Sequence, residues 1–341
     1  MIRYFSFCLD PFGPMRRRFI FWQTFLLPFK PPSWDEYPNE VVAGDNYFKL
    51  RRFKRGISPA ILVIPPHAGR HGNVAANLIR VCQGFKNSVY VFELLPANET
   101  NKDCDLDRLV RSVEKCVEFC GQPYLIGLCQ GAWLAAIVAA LNPGAVKAYF
   151  NFAGPIDFKA GDGKIKKACE AFHIGLFRIV VNSNRGIQPG WAQWWYFTLM
   201  DPARVFFDEP SKLHKKVLAN DEKGIVEWKN NRRWFWSPQN LPGAWYLEAV
   251  QRLFMENQLI SGAMEIGGRA VNLRKIDCPI FLYAGGNDEI TPFQQVYNLA
   301  DHVSVPVAKR FFKDCGHTSV FCSQEPLDFL REDLKKLGCC E

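Results

Sequence analysis

The sequence has no C-x-x-C pair, no long basic block, no internal repeat and no low-complexity tract, and only six of its residues are histidine. Each shortage removes a class of protein. The Cys and His positions make no zinc-ligand spacing, so a structural metal is not expected. Lys and Arg are scattered, so the formal net charge of +8 is not gathered into a basic face. With no nucleic-acid motif beside it, nucleic acid is not an expected partner. The absence of a repeat argues against a solenoid. No nucleotide, redox cofactor or metal is expected, so any chemistry must come from side chains.

What is present is a chain of 341 residues, 48% hydrophobic. That is enough to bury a large core, and it suits one α/β domain with an elaborate insertion better than two independent domains. The twelve cysteines lie mostly inside apolar runs such as Val81-Cys82 and Asp277-Cys278-Pro279. In a chain of this length they read as reduced thiols, and a cytoplasmic location is expected. Near the start, Arg16-Arg17-Arg18 precedes the aromatic run from Phe19 to Phe29. The run holds Gln23 and Pro28, is too short to span a bilayer, and is followed by no small-residue cleavage site. It is expected to be an amphipathic segment that packs on the domain or lies on a hydrophobic surface.

After Lys30-Pro31-Pro32, short apolar β-rich runs alternate with helix-period segments, the pattern of a mostly parallel sheet with helices on both faces. Strands are expected at Ile61–Ile64, the first clear buried one, and at Ser88–Leu95, Tyr124–Ile126, Val146–Phe152, Pro279–Ala284 and Ala308–Phe312. Helices are expected at Asn73–Gly84, Asp105–Cys120, Ala132–Leu141 and Pro326–Leu337. The alternation breaks between about Phe158 and Gly262, a stretch holding seven of the ten tryptophans. The implied organisation is an amphipathic segment (1–40), a first core part (41–157), a mainly helical cap insertion (158–262) and a second core part (263–341).

Gly127-Leu128-Cys129-Gln130-Gly131 has the spacing of a nucleophile elbow, with cysteine where serine is commoner, between a strand and a helix. By chance G-x-C-x-G would occur in roughly one chain in twenty, so the context carries the assignment. The competing reading of Cys129 is a small buried hydrophobe in a tight turn. Among His67, His71, His173, His214, His302 and His317, the last is the best base, because it lies just past the last strand where catalytic loops gather. Chain order in this fold puts the acid between nucleophile and histidine. Asp288, in Gly285-Gly286-Asn287-Asp288, satisfies it, with Asp314 and Asp157 as weaker substitutes. Oxyanion donors are expected at the N–H of Gln130 and at His67 or Ala68, in the segment Pro65–Gly72 after the earlier strand; Arg70 and His71 there could equally be surface residues.

At these residues the chain resembles the polyhydroxyalkanoate synthase and intracellular polyhydroxyalkanoate depolymerase group, α/β-hydrolase-fold enzymes with a cysteine nucleophile. The likeness runs from about Ile61 to Leu337. Gly127–Gly131, Asn240-Leu241-Pro242-Gly243 and Glu256-Asn257-Gln258-Leu259 are similar to the synthases. Gly154-Pro155-Ile156-Asp157, Pro189-Gly190-Trp191, Met200-Asp201-Pro202, the histidine-bearing loop at His67–His71 and the stretch after Gly316-His317 resemble the depolymerases. The chain departs from the depolymerase pattern at Gly131, where that branch carries proline, and from the synthases in the residues after His317.

The resemblance implies Cys129, Asp288 and His317 as catalytic residues, with polyhydroxyalkanoate polymer or hydroxyacyl-CoA as partner. Trp191, Trp194 and Trp195 in the cap are expected to bind the apolar substrate. Hydrolysis is favoured over synthesis; synthesis would call for a dry, closed cap and a homodimer through it. The alternative from another class is a non-catalytic protein that contacts the surface of polymer granules through its cap and Phe19–Phe29.

Overall fold

The computed structural model describes residues 13–26, 30–67 and 75–341. Eight strands form the main sheet: β1 (Glu40–Gly44), β2 (Phe48–Lys54), β3 (Ile57–Ile64), β4 (Asn87–Leu94), β5 (Tyr124–Leu128), β6 (Ala148–Phe152), β7 (Ile280–Gly285) and β8 (Val307–Phe312). Their order is β1-β2-β4-β3-β5-β6-β7-β8. Strand β2 runs antiparallel to both neighbours, and all pairs from β4 to β8 are parallel.

Parallel strands need crossovers, and the crossovers here are helices that cover both faces. The longer helices are α1 (Gly13–Leu26), α2 (Ala76–Gln83), α3 (Leu106–Cys120), α4 (Gln130–Leu141), α5 (Lys164–Ala171), α6 (Ile174–Ser183), α7 (Gly190–Met200), α8 (Glu209–Leu218), α9 (Glu222–Trp236), α10 (Gly243–Glu248) and α11 (Gln324–Lys336). Alternation along β3 divides the interior in two. Leu62 and Ile64 enter the core under α3 and α4, whereas Ile61 and Val63 enter the core under α2 and α11. Helix α4 is buried from Gly131 to Ala140, and its alanines let it lie close against sheet and α3 together. Helix α3 starts on Asp105, whose carboxylate accepts the Arg108 N–H at 2.7 Å, and stops at Gly121 with φ of 62°.

The strands expected from Ile61 onward are present within a few residues, as are the four helices; residues 73–74 of the first helix lie outside the described residues. Strands β1 and β2 were not expected. Phe48–Lys54 reads FKLRRFK, and its four cations mask the alternation. The buried Arg51 is accommodated because its Nε donates to Glu93 on β4 at 2.6 Å, with Asp35 at 3.2 Å.

Between β6 and β7 the chain is mainly helical, from α5 through α10, with π-helical turns at Arg204–Asp208 and Ala249–Met255. The two ends of this stretch are fastened together. The Asp157 carboxylate accepts from Asn257 and Asn298 side-chain amides, each at 2.8 Å, and Asn257 Oδ1 accepts the Phe158 N–H at 2.9 Å. Among the described residues no helix is long and apolar enough to cross a membrane.

Candidate active site

Strand β5 ends at Leu128 and α4 begins at Gln130, leaving one residue, Cys129, for the reversal. It adopts φ of 51° and ψ of −112°, a conformation that costs an L-residue about 1–3 kcal/mol. Its N–H donates to Phe152 O on β6 at 2.8 Å, and its carbonyl accepts from Ala132 at 3.0 Å. The flanking glycines are there for space. A Cβ on Gly127 would lie 2.3 Å from Ala132 Cα, and one on Gly131 would lie 1.9 Å from Ile64 O. Cys129 therefore stands at the carboxyl edge of the sheet, at the positive end of α4.

Asp288 and His317 come from the loops after β7 and β8. These loops are sewn to each other and to the strand ends: Gly286 N–H donates to Phe312 O at 2.8 Å and Asn287 N–H to Cys315 O at 3.1 Å. The Asp288 side chain is wholly buried. Its Oδ1 accepts the N–H groups of Ile290 (2.9 Å) and Thr291 (2.8 Å), which aims Oδ2 at His317 Nδ1, 2.8 Å away. Burial works against the imidazolium. The Asp288 carboxylate and a Cys129 thiolate outweigh it, helped by hydrogen bonds to both, and hold the His317 pKa well above its ordinary 6.5. The structure thus brings Cys129, His317 and Asp288 together.

A raised folded-state pKa fixes the sign of a stability effect. The charged His317 stabilises the fold fully below about pH 6.5, the unfolded value, and this contribution fades as pH rises through the higher folded value. Asp288→Asn is therefore expected to lower Tm most below about pH 6.5 and progressively less toward alkaline pH. A Tm difference that scanning calorimetry finds independent of pH, from acid to alkaline buffer, would show that the pair carries no charge.

Gln130 is the first residue of α4, and its Oε1 accepts the backbone N–H of His67 at 2.9 Å. His67 is buried edge-on to the rings of Phe92 (5.9 Å) and Trp245 (5.6 Å). Its carbonyl accepts from Gln239 Nε2 at 3.4 Å, and Gln239 O in turn accepts from Gln193 Nε2 of α7 at 2.6 Å. A buried amide chain therefore runs from α7 to the elbow. Ala68, Arg70 and His71 lie outside the described residues. Because Gln130 Oε1 accepts the buried His67 N–H, Gln130→Ala is expected to lower Tm, and Gln130→Glu, which keeps an acceptor there, to lower it less; equal losses in scanning calorimetry would mean that Gln130 acts through packing alone.

Trp191 and Trp195 stand on the solvent side of α7, opposite Gln193. Trp194 is half-buried, edge-on to Trp195 at 4.8 Å and tilted against Trp236 at 4.9 Å. Asp157 is engaged in the fastening described above, and Asp314 is exposed. The glutamine chain carried no signal in sequence, since Gln193 and Gln239 lie beside, not within, the motifs Pro189-Gly190-Trp191 and Asn240-Leu241-Pro242-Gly243. Burial pushes the thiols of Cys104, Cys120, Cys169 and Cys278 up to about 12, so they stay protonated near neutrality.

The strand order, with the strained Cys129 turn after β5 and the two loops after β7 and β8, is that of the α/β-hydrolase fold. A monoacylglycerol lipase from Paleococcus ferrophilus superposes with a TM-score of 0.55 over 84% of this chain and 98% of that one, at 16% identity, which establishes the fold. Within that fold, the family described as "Protein of unknown function (DUF3141)" matches residues 105–328, and the chain belongs to it. Curated relatives bear out the group read from the Gly127–Gly131 box. The chain is 22% identical to a poly(3-hydroxyalkanoate) polymerase subunit PhaC from Allochromatium vinosum over 66% of its length. It is 32% identical to the subunit of that name from Cupriavidus necator over 75%. The chain spans only 60% of the first of these proteins and 46% of the second.

Proposed function

We propose that the chain is a cysteine-dependent acyl-transfer enzyme that hydrolyses polyhydroxyalkanoate esters. The observation that carries this reading is the His317 imidazole lying between the Asp288 carboxylate, at 2.8 Å, and the Cys129 thiol at the strained head of α4. With Nδ1 committed to Asp288, Nε2 takes the Cys129 proton as Sγ attacks the ester carbonyl carbon. The carbonyl electrons move onto oxygen, where the backbone N–H of Gln130 is the expected donor; the His67 N–H, expected from sequence as a second donor, is instead given to Gln130 Oε1 at 2.9 Å. Collapse breaks the C–O bond, and His317 returns the proton to the departing alkoxide. The acyl group is left on Cys129 as a thioester. Water then attacks it with His317 as base, releasing a hydroxy acid and restoring the thiol. The helical stretch between β6 and β7 serves as the cap, coupled to the site through Gln193, Gln239 and His67.

A second reading keeps the same thioester and replaces water by the hydroxyl of a growing chain, with hydroxyacyl-CoA as acyl donor. Two observations favour it: the curated relatives are named polymerase subunits, and the synthase-like Gly131 has no room for any larger residue. The discriminating experiment incubates the protein with 3-hydroxybutyryl-CoA and, separately, with amorphous polyhydroxybutyrate. Soluble hydroxy acid released from polymer, dependent on Cys129, supports hydrolysis. Release of free CoA thiol with polymer formation supports synthesis and overturns hydrolysis. Silence in both tubes counts against both readings and turns the search to another thioester substrate or to a non-catalytic polymer-binding protein.

A further inference from the structure

Helix α1 packs on the domain, one of the two expectations for the N-terminal segment, and it carries a second apolar face. The inner face, Ile20, Phe21 and Phe25, packs on Leu213, Val217 and Trp228 of α8 and α9. Phe21 meets His214 edge-on at 5.7 Å, the Arg232 guanidinium covers the Phe25 ring at 4.3 Å, and Thr24 is buried beneath the helix. The outer face carries Met15, Phe19, Trp22 and Leu26, at spacings of four, three and four residues, which keeps them in one line along the helix. These side chains are 61%, 66%, 53% and 67% exposed. A row of that kind is unusual on water-facing surface. The packed inner face turns it outward.

The charges beside the row say what covers it. At about 100° per residue, Arg16 and Arg18 fall on opposite flanks of the row, and both are exposed. A second copy of the chain laid on this face would set arginines against arginines. An uncharged polyester would bury the apolar row but offer the guanidinium groups no counter-charge. An anionic phospholipid surface satisfies both, with acyl chains under Phe19, Trp22 and Leu26 and phosphates at the flanks. Because the inner face is packed on α8 and α9, the outer row meets the surface side-on, and α1 lies in the plane of the interface. We propose that the outer face of α1 docks the protein onto anionic phospholipid bilayers, an inference independent of the acyl-transfer reading.

The test is co-sedimentation of the full chain with phosphatidylglycerol–phosphatidylcholine vesicles and with phosphatidylcholine vesicles. Binding to the anionic vesicles is expected, weakened by salt. It should fall at least about tenfold in Trp22→Glu and in the Arg16→Glu/Arg18→Glu double variant, with circular dichroism unchanged because all three side chains are exposed. No binding to anionic vesicles overturns the proposal. So does equal binding to neutral vesicles or amorphous polyester particles that the arginine substitutions leave intact. A dimer in light scattering that Trp22→Glu dissolves, without vesicle binding, also overturns it in favour of a second copy.

Discussion

Cys129→Ala is expected to lower kcat by about 10⁴- to 10⁶-fold while leaving the fold intact, the largest kinetic effect any single substitution should have in this chain. The substitution removes Sγ and nothing else. Alanine keeps the Cβ, so the backbone at φ of 51° stays as strained as before, and the hydrogen bond from residue 129 to Phe152 O is retained. Loss of turnover with an unchanged urea midpoint therefore isolates the nucleophile. Cys129→Gly separates strain from chemistry. Glycine has no Cβ to clash at positive φ, so this variant should be about 1 kcal/mol more stable than Cys129→Ala and equally inactive. Turnover retained in either variant, measured as hydroxy acid release or thiol release, would remove Cys129 from the mechanism. No other described cysteine pairs a half-exposed thiol with a neighbouring histidine held by a buried carboxylate.

The elements that hold the site were legible where chemistry and local structure agree. Gly127 and Gly131 announced a tight turn because two backbones approach there. Asp288 could be placed because it follows a buried apolar strand and His317 because it lies just past the last strand, and chain order then assigned their positions relative to Cys129. Legibility failed where long-range pairing overrides local pattern. Phe48–Lys54 looks like charged loop until Glu93, forty-two residues past Arg51, supplies a partner across the sheet. The chain from Gln193 through Gln239 to His67 is a property of three segments far apart in sequence, so no spacing could announce it. The orientation of the tryptophans was illegible for another reason. Composition says that a stretch is aromatic, but which side of α7 each ring occupies depends on helix phase relative to the core, and Gln193 rather than Trp191 or Trp195 points inward.

Gly131→Ala is expected to cost at least about 4 kcal/mol, at the extreme of single substitutions. The added Cβ would lie 1.9 Å from Ile64 O and 2.7 Å from Ile64 C. Those are backbone atoms of a strand paired on both sides, Ile64 itself lying opposite Gly127 of β5, so they cannot move without breaking the register that positions the elbow. Gly144→Ala is the matched control. Gly144 has φ of 79°, but its Cβ would meet only Asp277 Oδ2 at 4.0 Å, so it should lose only the conformational preference, about 1 kcal/mol. Urea titrations of the two variants thus weigh close approach against backbone angle. Gly131→Ala should also lose turnover in whatever fraction remains folded, because the clash pushes the head of α4, and Cys129 with it, away from β3. A variant with wild-type midpoint and kcat would mean that α4 does not approach β3 this closely.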